Sequence, residues 1–86
     1  MSRILVVDDI PANVEILSIH LHDEGYEVVE ALSGKQALSI LHLSNEDGEE
    51  EIDLILLDVM MPIMSGLEVL AQIKKDPQTQ NIPVIL

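Results

Sequence analysis

The sequence predicts an α/β domain, a doubly wound parallel sheet with helices on both faces. Three observations carry this expectation. Two short apolar runs, Ile4-Leu5-Val6-Val7 and Leu54-Ile55-Leu56-Leu57, have the unbroken hydrophobicity of strands buried on both faces. Stretches with helical spacing separate the strand-like runs, so the connections are too long for hairpins and imply parallel pairing with right-handed crossovers. Apolar residues make up 48% of the chain, yet it has no Phe or Trp and one Tyr, Tyr26. The core must therefore be built from Leu, Ile, Val and Met, as suits helices laid on a sheet.

Taken in order, Arg3 to Asp8 reads as the first strand. The first helix opens near Pro11, a residue favoured in a first helical turn. It runs to about Asp23 with Val14, Leu17 and Leu21 on one face, and Gly25 stops it. Glu27 to Ala31 is a short second strand around Val28-Val29. Ser33 with Gln36 makes a capping box, opening a second helix through Ala37, Leu38 and Leu41. Ser44 to Glu51 is polar and acidic, contains Gly48 and reads as a solvated loop. Leu54 to Asp58 is the third strand. Ser65 with Glu68 is another capping box, and the third helix carries Leu67, Leu70 and Ile73 to about Lys75. Lys74 and Lys75 suit its negative C-terminal end. Asp76-Pro77 breaks that helix, and Ile82 to Leu86 begins a fourth strand. No internal repeat or linker interrupts residues 1–86, which form one domain.

Charge narrows the partners. Sixteen acids against four bases leave a formal charge of −12, which argues against direct contact with nucleic acid or an anionic membrane. It suits a cation or a basic protein surface. No cysteine is present, so thiolate ligands and disulfides are not available. No apolar run has the length of a membrane span and the N-terminus has no signal-peptide layout, so a cytoplasmic location is expected.

Both buried runs end on acids. The first finishes at Asp8-Asp9 with Pro11 just beyond, the second at Asp58 with Pro62 four residues later. If the two strands are parallel neighbours, Asp8, Asp9 and Asp58 meet at one edge of the sheet. Ligands of open α/β sheets sit outside the carboxyl ends of the strands, where the strand order reverses. Acids after strands also serve as turn residues or helix N-caps, but two strand ends repeating the pattern favour a common site. Clustered carboxylates must hold extra protons or recruit a cation, and oxygen-only ligands select a hard ion such as Mg2+. Met60, Met61 and Met64 fit loop and core filling better than a sulfur site beside such ligands. His20, His22 and His42 fall on helix surfaces or ends.

At these residues the sequence resembles a known family. Val-Val-Asp-Asp-Ile-Pro-Ala-Asn at 6 to 13 is similar to the acidic opening of the receiver domain of two-component response regulators. Leu-Leu-Asp-Val-Met-Met-Pro-Ile-Met-Ser-Gly at 56 to 66 resembles its phosphoacceptor segment, and Asp-Pro-Gln-Thr-Gln-Asn-Ile-Pro-Val-Ile at 76 to 85 the approach to its fourth strand. The Asp-x-Pro-x-Asn opening is most similar to receivers fused to diguanylate cyclase domains. The resemblance implies a flavodoxin-like receiver fold, here its N-terminal portion with about four strands and three helices. It implies that Asp58 is the phosphoacceptor, that Asp9 binds Mg2+ directly and Asp8 through water, and that Met60 offers its backbone carbonyl. Pro62 and Gly66 would shape the loop that leaves this site. The implied role is regulatory, not enzymatic. A sensor histidine kinase or phosphotransfer protein donates the phosphoryl group, and an output domain or partner protein reads it.

The family's hydroxyl after strand four, its switch aromatic, the lysine of strand five and the final helix have no counterpart before Leu86. Slow phosphorylation of these 86 residues alone is therefore expected, as is association or strand exchange through an uncovered sheet face and edge. Two other readings are weaker. A haloacid dehalogenase-type phosphatase would want an Asp two positions after the nucleophile, where this chain has Met60. A degenerate receiver serving only as a dimerisation module would have no need of its acids, yet all three are intact. Nicotinamide binding lacks its glycine fingerprint after the first strand.

Overall fold

The two apolar runs pair directly with each other. In the computed structural model, which describes residues 2–47 and 51–86, β1 (Arg3–Val7) lies parallel to β3 (Leu54–Leu57), with Ile4 opposite Leu54 and Val7 opposite Leu57. On its other side β1 pairs in parallel with β2 (Glu27–Ala31), and β3 pairs with a short β4 (Val84–Ile85). The strand order is β2-β1-β3-β4, that of a flavodoxin-like sheet. The helices are α1 (Pro11–Asp23), α2 (Gly34–Asp47) and α3 (Gly66–Lys75).

Pleating sorts the strand residues between two layers. Leu5, Val7, Ile55 and Leu57 pack with Ala37 and Leu41 of α2 and with Val69 and Ile73 of α3. Ile4 and Val6 turn to the opposite face, with Val14 of α1 and partly buried Leu21, Leu54 and Leu56. The first layer is much the larger among the described residues. Cover on the α1 side is thinner, so Leu54 and Leu56 are only half-buried, and Ile85 on β4 is exposed.

Local chemistry explains the helix ends. Gly25 takes a φ of 91°. Its N–H donates to the His22 carbonyl at 3.0 Å, and the Tyr26 N–H donates to Leu21 at 3.1 Å, the paired bonds of a Schellman stop. At α2 the Ser33 hydroxyl accepts from the Gln36 N–H, while the Gln36 side chain accepts from the Leu32 N–H, one residue further back than in a standard box. Ser65 caps α3 by accepting from the Glu68 N–H. Beyond α3, the Lys74 ammonium donates to the Gln80 and Ile82 carbonyls, and the buried Thr79 hydroxyl donates to Ile73 at 2.7 Å. These bonds tie the end of α3 to the approach to β4.

Four expectations need correcting. The Ser44–Glu51 stretch is not all loop, because α2 continues to Asp47; Gly48 to Glu50 lie outside the described residues. A polar run does not stop a helix whose other turns are anchored. Leu67 is 56% exposed, because the inward stripe of α3 is Gly66, Val69 and Ile73. Leu17 of α1 is 38% exposed rather than buried, beside Leu56 and Ile85 in a groove of about 240 Å³. Strand four is also shorter than expected, Val84–Ile85 rather than Ile82 to Leu86.

Ile55→Ala should lower the unfolding free energy by about 2–5 kcal/mol, whereas Leu67→Ala should change it by about 0.5 kcal/mol or less. Urea titrations of both variants check this. Equal costs would return Leu67 to the core.

Candidate functional site

The parallel register of β1 and β3 brings their following residues together. The Asp58 N–H donates to the Val7 carbonyl at 2.9 Å, and the Asp8 N–H to Ala31 at 3.2 Å. Each acid thus sits where the sheet ladder stops, at the crevice between β1 and β3, where the chain's winding direction reverses. One carboxylate oxygen from each of Asp8, Asp9 and Asp58 lies within 4.8 Å of the others, and all three residues are half-buried. The sequence expectation that separate segments deliver acids to one place holds geometrically.

The three carboxylates are held differently. Asp8 Oδ1 accepts from the Ile10 N–H at 3.0 Å, and Oδ2 accepts from the Asn13 amide at 3.3 Å. Asp58 Oδ1 accepts from the Met60 N–H at 3.2 Å. Among the described residues no hydrogen bond or ion pair reaches the Asp9 carboxylate. An all-oxygen donor set of this kind fits a hard divalent cation. The bond from Asn13 was not singled out from sequence. Its signal is spacing: a residue in the first turn of a helix that starts three positions after an acid can reach back to it.

The loop from β3 to α3 is tightly shaped. Met61 is buried and Met64 packs against the core, while Met60 is 82% exposed. The Met64 N–H donates to the Pro62 carbonyl at 2.7 Å across Ile63, whose φ is 69°. That is a γ-turn with a β-branched residue in the left-handed region, a strained arrangement. The Ile63 side chain is fully exposed, so no burial repays the strain. Gly66 closes the loop by donating its N–H to Val59 at 2.9 Å. A Cβ there would lie 2.7 Å from the Val59 Cα and closer still to the Asp58 carbonyl oxygen. His20, His22 and His42 are exposed on α1 and α2, away from the acids.

Two substitutions in this loop should act in opposite directions. Gly66→Ala should cost about 2 kcal/mol or more by forcing the Asp58 backbone aside. Ile63→Gly should add about 1 kcal/mol by releasing the turn, the strain relief exceeding the added chain entropy. Denaturant midpoints measure both, and a stabilised Gly66→Ala variant would contradict the packing described.

The family model for the response regulator receiver domain matches residues 4–86. The response regulator PleD of Caulobacter vibrioides is 48% identical over 85 residues, covering 99% of this chain but 17% of PleD. The N-terminal domain of a response regulator receiver protein from Methanoculleus marisnigri superposes with a TM-score of 0.85 at 42% identity, covering 98% of this chain and 63% of that one. The response regulator TrrA of Thermotoga maritima, solved in complex with Mg2+ and BeF, gives 0.75 at 42% identity over 91% of this chain and 63% of its own. With its sheet order, its rim of acids and a match running from Ile4 to the last residue, the chain belongs to the response regulator receiver domain family.

Proposed function

We propose that the chain accepts a phosphoryl group on Asp58 from a histidine kinase or phosphotransfer protein and passes the change to an output domain or partner. The observation that carries this reading is the meeting of the Asp8, Asp9 and Asp58 carboxylates within 4.8 Å at the carboxyl edge of the sheet. In the transfer, an Asp58 oxygen attacks phosphorus in line. An O–P bond forms as the bond from phosphorus to the donor's imidazole nitrogen breaks, and the imidazole leaves. Residues 1–86 act here as the N-terminal portion of a receiver domain.

Asp9, whose carboxylate is unengaged, would hold Mg2+ directly, with Asp8 through water, Asp58 itself and the Met60 backbone carbonyl. The ion would offset the negative charge that a phosphoryl group adds to an already acidic rim. TrrA, crystallised with Mg2+ and BeF, supports the cation assignment. The Met60 N–H holds Asp58 Oδ1 and so steadies the carboxylate for attack. Gly66 keeps the Asp58 backbone in place from behind. No helix among the described residues is long and apolar enough to cross a membrane, and the proposed setting is the cytoplasm. The half-buried α1 side of the sheet is the surface through which a second copy would associate.

Incubation with a small acyl phosphate and Mg2+ should slowly add one phosphoryl group, located at Asp58 by mass spectrometry. Chelating the metal or introducing Asp58→Asn should abolish the adduct. An adduct that survives in Asp58→Asn would overturn the assignment.

A further inference from the structure

Adjacent acids at the rim are restrained unequally. Both oxygens of Asp8 are engaged, one by the Ile10 N–H and one by the Asn13 amide, whereas the Asp9 carboxylate has no partner among the described residues. A carboxylate only accepts, so the amide nitrogen of Asn13 must be the atom that faces it. We propose that Asn13 is a positioning residue: it fixes the Asp8 carboxylate and thereby leaves Asp9 to meet the cation directly.

Helix architecture does not account for this bond. Asn13 is the third residue of α1, and its backbone N–H already donates to the Ile10 carbonyl at 3.0 Å. Its side chain caps nothing, and among the described residues the hydrogen bond of that side chain goes to Asp8. Asn is also a poor helix former at an exposed site, so the residue is locally unfavourable without the bond. An acid engaged at both oxygens cannot turn freely to enter the inner coordination shell. It can still accept from a water on the ion. Partners of this outer kind commonly change metal affinity by about 10–100-fold when removed, and the 3.3 Å length at an exposed position places Asn13 at the low end.

This inference rests on the cation reading of the rim, and a binding measurement separates the two. Mn2+ is titrated into the intact protein, with free Mn2+ followed by electron paramagnetic resonance, for the unmodified chain, Asn13→Leu, Asp8→Ala and the double variant. Asn13→Leu should weaken binding about 10-fold. In the Asp8→Ala background the same change should matter by less than about twofold, because its effect passes through Asp8. Asn13→Gln, which keeps an amide and favours the helix, should recover most of the loss. Equal losses in both backgrounds, or tighter binding in Asn13→Leu, would overturn the role of Asn13 while leaving the cation site standing. An unmodified chain that binds no Mn2+ would overturn both.

Discussion

Parallel pairing of β1 with β3, Val7 opposite Leu57, is the constraint on which the site depends. Side chains alternate along each strand, so a slip of one residue would move every apolar side chain to the wrong layer. The two core clusters fix the register through Leu5, Val7, Ile55 and Leu57 on one face and Ile4 and Val6 on the other. Because the register is fixed by apolar burial, the acids that follow need no attraction between themselves to meet. They are brought together against their own repulsion.

That repulsion is substantial. Two unit charges at about 5 Å oppose each other by roughly 3 kcal/mol at an effective dielectric of ~20, and the oxygens of this trio lie within 4.8 Å of one another. A chain carrying −12 supplies little general relief. Local donors do part of the work: the backbone N–H groups of Ile10 and Met60 and the Asn13 amide each face a carboxylate oxygen. What they leave unmet is concentrated on Asp9. The strained turn at Ile63 and the bare backbone at Gly66 belong to the same arrangement, since they bring the chain away from Asp58 without covering it.

Much of this was legible in the residues themselves. The strand runs, the proline at the start of α1 and Gly25 at its end placed four elements closely, and the paired Asp endings placed the rim. Other features follow from three-dimensional context. Leu67 looks like a core residue by type, but the stripe that faces the sheet begins at Gly66, which carries no apolar signal. The polar run after Ser44 gives no sign that α2 continues into it, as far as Asp47. Strain at Ile63 depends on how Pro62 and Met64 are held, which composition does not disclose. Asn13 belonged to a recognisable opening motif, yet its contact with Asp8 required the actual entry angle of α1.

The unequal thickness of the two layers has a consequence for how the molecule breathes. Among the described residues α1 buries the fewest side chains of any helix: Val14 is its one buried residue, helped by the Ser18 hydroxyl donating to Glu30 at 2.6 Å. Elements with few buried contacts open locally at lower free energy than the whole domain. When α1 lifts, Asn13 departs with it while β1 and β3 keep the acids in place. Amide protons of α1 would then exchange with solvent ahead of those in the sheet, and a ligand that holds the rim together would slow them from a distance.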